Sequence, residues 1–329
     1  MKRAGFLIER IADIDNLLLA YTKAIRGKHL KREVKRFGEA FDDNIRLLHE
    51  ALLQGTVRVG DYHYFTIYDP KERVICAASF PERVLHHAIM NVCHDYFDRS
   101  LIADTYATRK GKGVYAALDR AVWGASRHRY VVKLDYRKFY DSISHEVLFG
   151  QLVQKFKDER LLSLFYRIID SYHVTPGYGL PIGNLTSQYF ANSYLSSLDH
   201  RMKEVVRVPV YIRYMDDILM FADDAAFLRD AVRGMQEYAT DRLRLTLKSP
   251  IYRVTSSGVP FLGYKVYPHH YRLAGRSKRR FCHKMSIYKR LYDRNEWGEK
   301  EYQEHILPLL SFVEHACSKQ YRKAVVEKG

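Results

Sequence analysis

The chain has 329 residues, 47% of them hydrophobic and 28% charged, with 54 Lys and Arg against 38 Asp and Glu for a formal net charge of +16. That length allows two or three subdomains with buried cores and excludes a short disulfide-stapled module. A positive surplus of this size predicts a polyanionic partner, nucleic acid ahead of an acidic membrane surface. The charge is clustered: Lys23, Arg26, Lys28, Lys31, Arg32, Lys35 and Arg36 form one block, and nine Lys or Arg between Arg272 and Arg294 form another, opposed only by Asp293. No apolar run is long enough to cross a bilayer, and Glu9 and Asp13 come too early for a signal peptide, so a cytoplasmic protein with no membrane partner is expected. Cys76, Cys93, Cys282 and Cys317 lie far apart with no C-x-x-C pair, which predicts reduced thiols.

From the amino terminus, Phe6, Ile8, Ile11, Leu17, Leu18 and Ile25 recur near a helical period, and Phe41, Ile45, Leu48 and Leu52 repeat the signal. "YHYFTIYDPKERVICAAS" alternates as a β-hairpin around Asp69-Pro70, and Pro81 opens a helix with Val84, Leu85, Ala88, Ile89 and Val92 on one stripe. "RYVVKLDY" reads as a strand, and "VPVYIRYMDDILMFADD" as a pair of strands around Met215-Asp216-Asp217. Helices are expected at 145–172, 186–205 and 225–243, strands near 243–254 and 260–267, and helix from Ser277 onward, with Ile306, Leu309, Leu310, Val313, Ala316 and Cys317 on one face. This order suits an α+β fold, an antiparallel sheet backed by helices.

The sharpest local feature is "YMDD", Tyr214 to Asp217. Two adjacent carboxylates at a hairpin tip are costly to desolvate unless a cation neutralises them, whereas a solvated turn is the plain alternative. A third carboxylate, Asp135, ends the strand "YVVKLD". If the strands are neighbours, Asp135 and Asp216 converge, and such a cluster can bind two Mg²⁺ about 3.5 to 4 Å apart for in-line phosphoryl transfer. Oxygen donors suit Mg²⁺, and no thiolate or imidazole set for zinc accompanies them. "RKGKG", Arg109 to Gly113, lacks the spacing of a phosphate loop and reads as a turn before a helix. In His86-His87, adjacent helical residues point apart, so one packed and one exposed ring are expected.

The ordered series "RVICAASFPERVLHHAI", "YATRKGKGVYAALDRA", "VVKLDYRKFYDSI", "GLPIGNLTSQYFANSYL", "YIRYMDDILMF" and "FLGYKVYP" resembles the successive motifs of a reverse transcriptase over roughly Tyr64 to Pro268. Within that superfamily, the compact length and the "IGNLTSQ" loop most resemble the enzymes of diversity-generating retroelements. Retron and group II intron enzymes usually carry Gln in place of Ile182 and Ser-Pro in place of Ser187-Gln188. The resemblance implies a right-hand fold: a helical extension over 1–60, interleaved fingers over 61–130 and 146–178, a palm over 131–145 and 179–268, and a short helical thumb over 269–329.

The resemblance also implies roles. Asp135, Asp216 and Asp217 match the catalytic triad, with Tyr136 beside them in the metal site. Tyr140 matches the steric gate against a 2′-hydroxyl, with Phe139 as its buried neighbour. Arg73, helped by Lys71, matches the clamp on the incoming triphosphate, work suited to a guanidinium. Ile182 and Gly183 match the pocket floor, where Gly183 lets the backbone approach the nucleotide. Ser187 and Gln188 are expected at a helix start, with the hydroxyl free to cap. Lys248, with Arg253 as rival, is the candidate acid for the leaving pyrophosphate. Arg109, Gln188, Tyr214 and Met215, the primer grip Phe261, Leu262 and Gly263, and the thumb residues Arg276, Lys278, Arg279, Arg280 and Lys284 would follow the nucleic acid; Arg83 and Arg109 rank lower, since each could equally hold a structural carboxylate or the template backbone. The implied partners are template RNA, a DNA or RNA primer with its cDNA product, deoxynucleoside triphosphates, and a basic oligomeric accessory protein. A retron or group II intron-like reverse transcriptase, an untemplated antiphage polymerase and a non-catalytic binding module on the same fold are the other readings.

Overall fold

A computed structural model describes residues 5–68, 72–316 and 318–328. Its strands are β1 (Tyr62–Ile67), β2 (Arg73–Ala78), β3 (Tyr130–Leu134), β4 (Val210–Tyr214), β5 (Asp217–Ala222), β6 (Ile251–Val254), β7 (Val259–Phe261), β8 (Tyr264–Val266) and β9 (Tyr271–Leu273). They form three sheets, of order β1-β2, β4-β5-β3-β6 and β7-β8-β9, and every strand pairing is antiparallel. The contacts divide the chain into two compact units, residues 1–103, 136–201 and 235–246 in the first and residues 104–135, 202–234 and 247–329 in the second. Among the described residues, no helix is long and apolar enough to cross a membrane.

The first unit is mostly helical. Helix Phe80–Asp98 carries Pro81 in its first turn, where the missing N–H is no loss, and its apolar stripe is buried at Val84, Leu85, Ala88 and Ile89. Phe97, Phe156, Phe165 and Phe190 pack ring against ring, with centroids 5.3 to 6.3 Å apart. The helical run expected over 145–172 is two helices, His145–Lys155 and Glu159–Asp170. Asp158 causes the break: its carboxylate caps the second helix at Leu161 N (3.2 Å) and reaches Leu7 N (2.6 Å) and Ile8 N (3.1 Å) at the start of the amino-terminal helix Ile8–Ala12. The β1-β2 hairpin is present, while the turn residues Asp69 and Pro70 lie outside the described residues.

In the second unit, helix Val114–Arg127 packs on the four-stranded sheet at Gly124, where an added Cβ would lie 3.0 Å from the Phe221 ring and 3.1 Å from Val210. Leu118, Ala121, Val131, Ile212, Leu219 and Phe221 fill the core there. The strand expected near 243–254 is only Ile251–Val254. The one expected over 260–267 is a hairpin, β7 and β8, turning at Leu262 and Gly263 with positive φ at both. β9, which pairs β8, is an addition to the sequence reading. Helices Gly275–Asp293, Glu299–Glu314 and Lys319–Lys328 follow; Ile306, Val313 and Ala316 are buried as expected, and Cys317 lies outside the described residues. Cys76, Cys93 and Cys282 are free thiols.

Candidate active site

Strand register brings the three predicted carboxylates together. β3 lies between β5 and β6, with Leu134 opposite Ile218, so Asp135, one residue further on, falls across from Asp217 at the start of β5. Tyr214 and Asp217 close the β4-β5 hairpin over a two-residue connection, Met215-Asp216. Met215 takes φ 53°, a conformation uncommon for a residue with a side chain. The buried Arg213 guanidinium helps to hold it, donating from Nη1 to the Met215 carbonyl at 3.1 Å. Arg213 escaped the sequence reading, although an Arg in an otherwise apolar strand is the signal that could have found it.

Two lysines hold two of the carboxylates. Lys248 Nζ donates to Asp135 Oδ2 at 2.5 Å, and Lys133 Nζ lies 2.9 Å from Asp217 Oδ1. Asp216 is treated differently: burial, then Asp135, then Asp217 push its carboxyl up to about 6. Oδ1 of Asp135 is buried with no hydrogen-bond partner. An acceptor left unsatisfied beside an uncompensated carboxylate is the donor set expected of a hard divalent cation, so these residues fit Mg²⁺. Lys248 was expected to face a leaving group and is found on Asp135; its rival Arg253 sits in β6 opposite Val131.

Elsewhere in the second unit, Tyr214 and Met215 are half-buried at the hairpin tip. Phe261 is buried, Leu262 half-buried and Gly263 exposed at the β7-β8 turn, so "FLGY" is a hairpin turn and not a plain strand. Arg276, Lys278, Arg279 and Arg280 are exposed on helix Gly275–Asp293, and Lys284 is partly exposed there. Arg109 donates from Nη1 to Thr105 Oγ1 at 2.8 Å, which gives it a structural task. "RKGKG" is the turn before helix Val114–Arg127, with positive φ at Gly111 and Gly113.

In the first unit, Arg73 is exposed at the start of β2, and Lys71 lies outside the described residues. Tyr136 is fully buried. Phe139 is buried and Tyr140 half-buried, as expected, and the Tyr140 carbonyl accepts from Leu180 N at 2.9 Å. The loop after Leu180 is clamped to β2: Ile182 carbonyl accepts from Cys76 N at 2.8 Å. Gly183 takes φ 126°, and a Cβ there would meet Ile75 at 2.9 Å and the Cys76 carbonyl at 3.2 Å, so here the glycine is required by backbone shape and by space. Asn184 Oδ1 accepts from Ala78 N at 3.1 Å and fastens the loop's far end.

Two expectations in this unit need correction. Ser187 lies in the first turn of helix Leu185–Tyr194 but does not cap it: the N-cap residue is Asn184, and Ser187 is buried while Gln188 is exposed. Arg83 pairs with Glu33, the structural-carboxylate alternative for that side chain. His86 is packed, 3.5 Å from Glu82, but His87 is half-buried rather than exposed, and burial followed by the nearby Lys23 lowers its pKa to about 4.

Comparison with known proteins agrees with this geometry. Residues 69–266 match the family described as "Reverse transcriptase (RNA-dependent DNA polymerase)". Protein YkfC of Escherichia coli (strain K12) is 21% identical over 277 residues, covering 68% of this chain and 71% of its own. The group II intron-encoded protein LtrA of Lactococcus lactis subsp. cremoris is 24% identical over 136 residues, 39% of this chain and 22% of its own. A COX1/OXI3 intron 1 protein of Saccharomyces cerevisiae is 20% identical over 219 residues, 61% of this chain; the match spans 26% of its length, so this chain corresponds to a small part of either intron protein. Among solved structures, apo telomerase from Candida tropicalis superposes with a TM-score of 0.51 at 11% identity, over 80% of this chain and 61% of its own, which shows the right-hand polymerase fold. With its family match covering most of the chain and its carboxylates gathered at the end of an antiparallel sheet, the protein belongs to the reverse transcriptase (RNA-dependent DNA polymerase) family.

Proposed function

We propose that the protein is an RNA-directed DNA polymerase that copies a template RNA into cDNA for a diversity-generating retroelement, with errors directed to template adenines. The observation that carries the chemistry is the convergence of Asp135, Asp216 and Asp217, with Asp216 raised by burial and by its two neighbours and with Asp135 Oδ1 unpartnered. Asp135 and Asp216 are the principal ligands for Mg²⁺, helped by Asp217 and the Tyr136 carbonyl; when bound, the metal supplies acidification of the primer 3′-hydroxyl and offsets charge on the phosphate. The 3′-oxygen forms a bond to the α-phosphorus of a deoxynucleotide, and the bond to pyrophosphate breaks.

The other residues orient and select. Arg73 and Lys71 hold the triphosphate, Tyr140 excludes a 2′-hydroxyl, and Ile182 with Gly183 shapes the place of the incoming base. The hydrogen bond of Lys248 to Asp135 supports a role in neutralising and orienting that carboxylate. Gln188, Tyr214, Met215 and the Phe261–Gly263 turn meet template and primer. Arg276, Lys278, Arg279, Arg280 and Lys284 contact phosphates, which gives affinity without sequence reading and a steep salt dependence. A basic oligomeric accessory protein completes the set of partners.

The similarity to LtrA favours a second reading, an enzyme of the group II intron type. The two part at Ile182, where an aliphatic side chain on a fixed backbone fills space without offering a hydrogen bond. The test is extension of a DNA primer on an annealed RNA template with Mg²⁺, followed by sequencing of the cDNA from the wild type and from Ile182→Gln. Elevated adenine errors that fall in the variant support the diversity-generating reading. Even errors in both, with good extension, favour the intron-type reading, and no extension with or without the accessory protein removes the polymerase assignment.

A further inference from the structure

Away from the carboxylate triad, the first unit gathers a second chemically distinct cluster. His145 opens helix His145–Lys155, Asp170 ends helix Glu159–Asp170, and His173 lies in the loop that follows. One ligand atom from each of the three falls within 4.8 Å of the other two. The His145 and His173 rings are 6.1 Å apart. Nothing in sequence spacing announces this set, because His145 is 25 residues from Asp170.

The state of His145 makes the cluster more than a coincidence of polar residues. It is 7% exposed, and its Nε2 lies 2.7 Å from the carbonyl of Gly179. A carbonyl only accepts, so Nε2 carries the proton and Nδ1 the lone pair. That Nδ1 is buried with no hydrogen-bond partner. An imidazole whose one N–H is fixed on a backbone carbonyl, with the other nitrogen left bare, has the tautomer and orientation of a metal ligand. Asp170 and His173 are exposed. A tetrahedral ion with bonds of about 2.0 to 2.2 Å sets its ligand atoms roughly 3.3 to 3.5 Å apart. Small rotations of those two side chains close the remaining gap.

We propose that His145, Asp170 and His173 bind a transition-metal ion of the zinc class, with water completing the coordination. Two imidazoles and one carboxylate select such an ion over Mg²⁺, which prefers an all-oxygen shell. The ion would tie the 171–179 loop to the start of helix His145–Lys155. That loop already returns to the same helix through His145 N to Gly177 O (2.9 Å) and to the preceding segment through Gly179 N to Ile143 O (2.9 Å). Its next residue, Leu180, holds the Tyr140 carbonyl, and Ile182 follows two residues later. The ion is therefore a clamp on the segment that carries Ile182, and its role is distinct from that of Mg²⁺ at the carboxylate triad.

The test uses full-length protein stripped with a chelator and titrated with Zn²⁺ against a competing chromophoric chelator. Wild type, His173→Ala, Asp170→Ala and Asp216→Asn are compared; the first two substitutions fall on exposed side chains, so folding is preserved. The expectation is one tight equivalent in the wild type and in Asp216→Asn, weakened by at least about tenfold in His173→Ala and Asp170→Ala. Zn²⁺ should also raise the melting temperature of the wild type and slow hydrogen exchange at Gly179 and Leu180, with neither effect in His173→Ala. No tight equivalent in the wild type, equal affinity in His173→Ala, or loss of the site in Asp216→Asn would each overturn the proposal. None of these readouts depends on polymerase activity.

Discussion

Asp158 and Asp216 are both carboxylates withdrawn from water, and their surroundings treat the charge in opposite ways. Around Asp158 burial alone would raise the pKa, but three backbone N–H groups, from Leu7, Leu161 and Ile8, hold it below the ordinary Asp value. Around Asp216 burial acts in the same direction and is reinforced by two further carboxylates, so its pKa is pushed up to about 6. The first arrangement supplies donors from the chain itself and joins two helix starts. The second offers only Asp216's own backbone N–H against two neighbouring carboxylates, leaves Asp135 Oδ1 unsatisfied, and makes sense once a cation is added. A carboxylate ringed by backbone donors is held by the fold; one crowded by two others is placed where a cation would bind.

The comparison can be broken first at its functional end. Asp135→Asn should lower RNA-templated extension by about 10³-fold or more, measured as single-nucleotide incorporation, because it removes a ligand to the metal and the partner of Lys248. Asp158→Ala should leave the rate per folded molecule unchanged and cost about 2–3 kcal/mol in urea unfolding, since three N–H groups lose their acceptor. Asp216→Asn should do the reverse and, without Mg²⁺, stabilise the protein by about 1–2 kcal/mol by relieving like-charge repulsion. A destabilised Asp216→Asn protein would show that the carboxylate's bond to its own backbone N–H outweighs the like-charge repulsion.

The two residues should also separate by pH. Asp158 has a lowered folded pKa, so its contribution is full above the ordinary Asp range and is lost as pH falls through the lowered value. The stability gap between wild type and Asp158→Asn should therefore shrink below about pH 4. Asp216 has a raised folded pKa, so its penalty is absent in acid and grows as pH rises from the ordinary value toward about 6. The gap between wild type and Asp216→Asn should open over that interval. The smallest expected effect lies at Ile182: Ile182→Gln should change adenine misincorporation severalfold, the consequence of about 1 kcal/mol in one polar contact.

The carboxylate-cluster end of this contrast is readable in the sequence because it rests on local pattern. Asp135 follows a strand led by Tyr130, Val131 and Val132, the "YMDD" hairpin is flanked by apolar strands, and the helix expected over 225–243 is Ala225–Leu243. Asp158 was not readable, since its partners at Leu7 and Ile8 are about 150 positions away and a single Asp between two apolar stretches looks like any polar residue on a long helix. The same holds for His145, Asp170 and His173, whose meeting depends on how two helices and a loop return on each other. The strand expected from residue 243 failed because the buried Leu245 and Leu247 alternate as a strand would while lying before the ladder begins at Ile251. Burial periodicity reports that a side chain faces a core; hydrogen-bonded pairing decides whether it does so from a strand.

The central claim is that Asp216 serves the reaction and not the fold, and one paired measurement addresses it. Purified wild type and Asp216→Asn would be given the same annealed RNA template and DNA primer with Mg²⁺ and deoxynucleotides, with RNA binding measured on the same preparations. Extension lost in the variant with binding retained is the predicted result. Extension retained, or binding lost in step with it, would contradict the assignment.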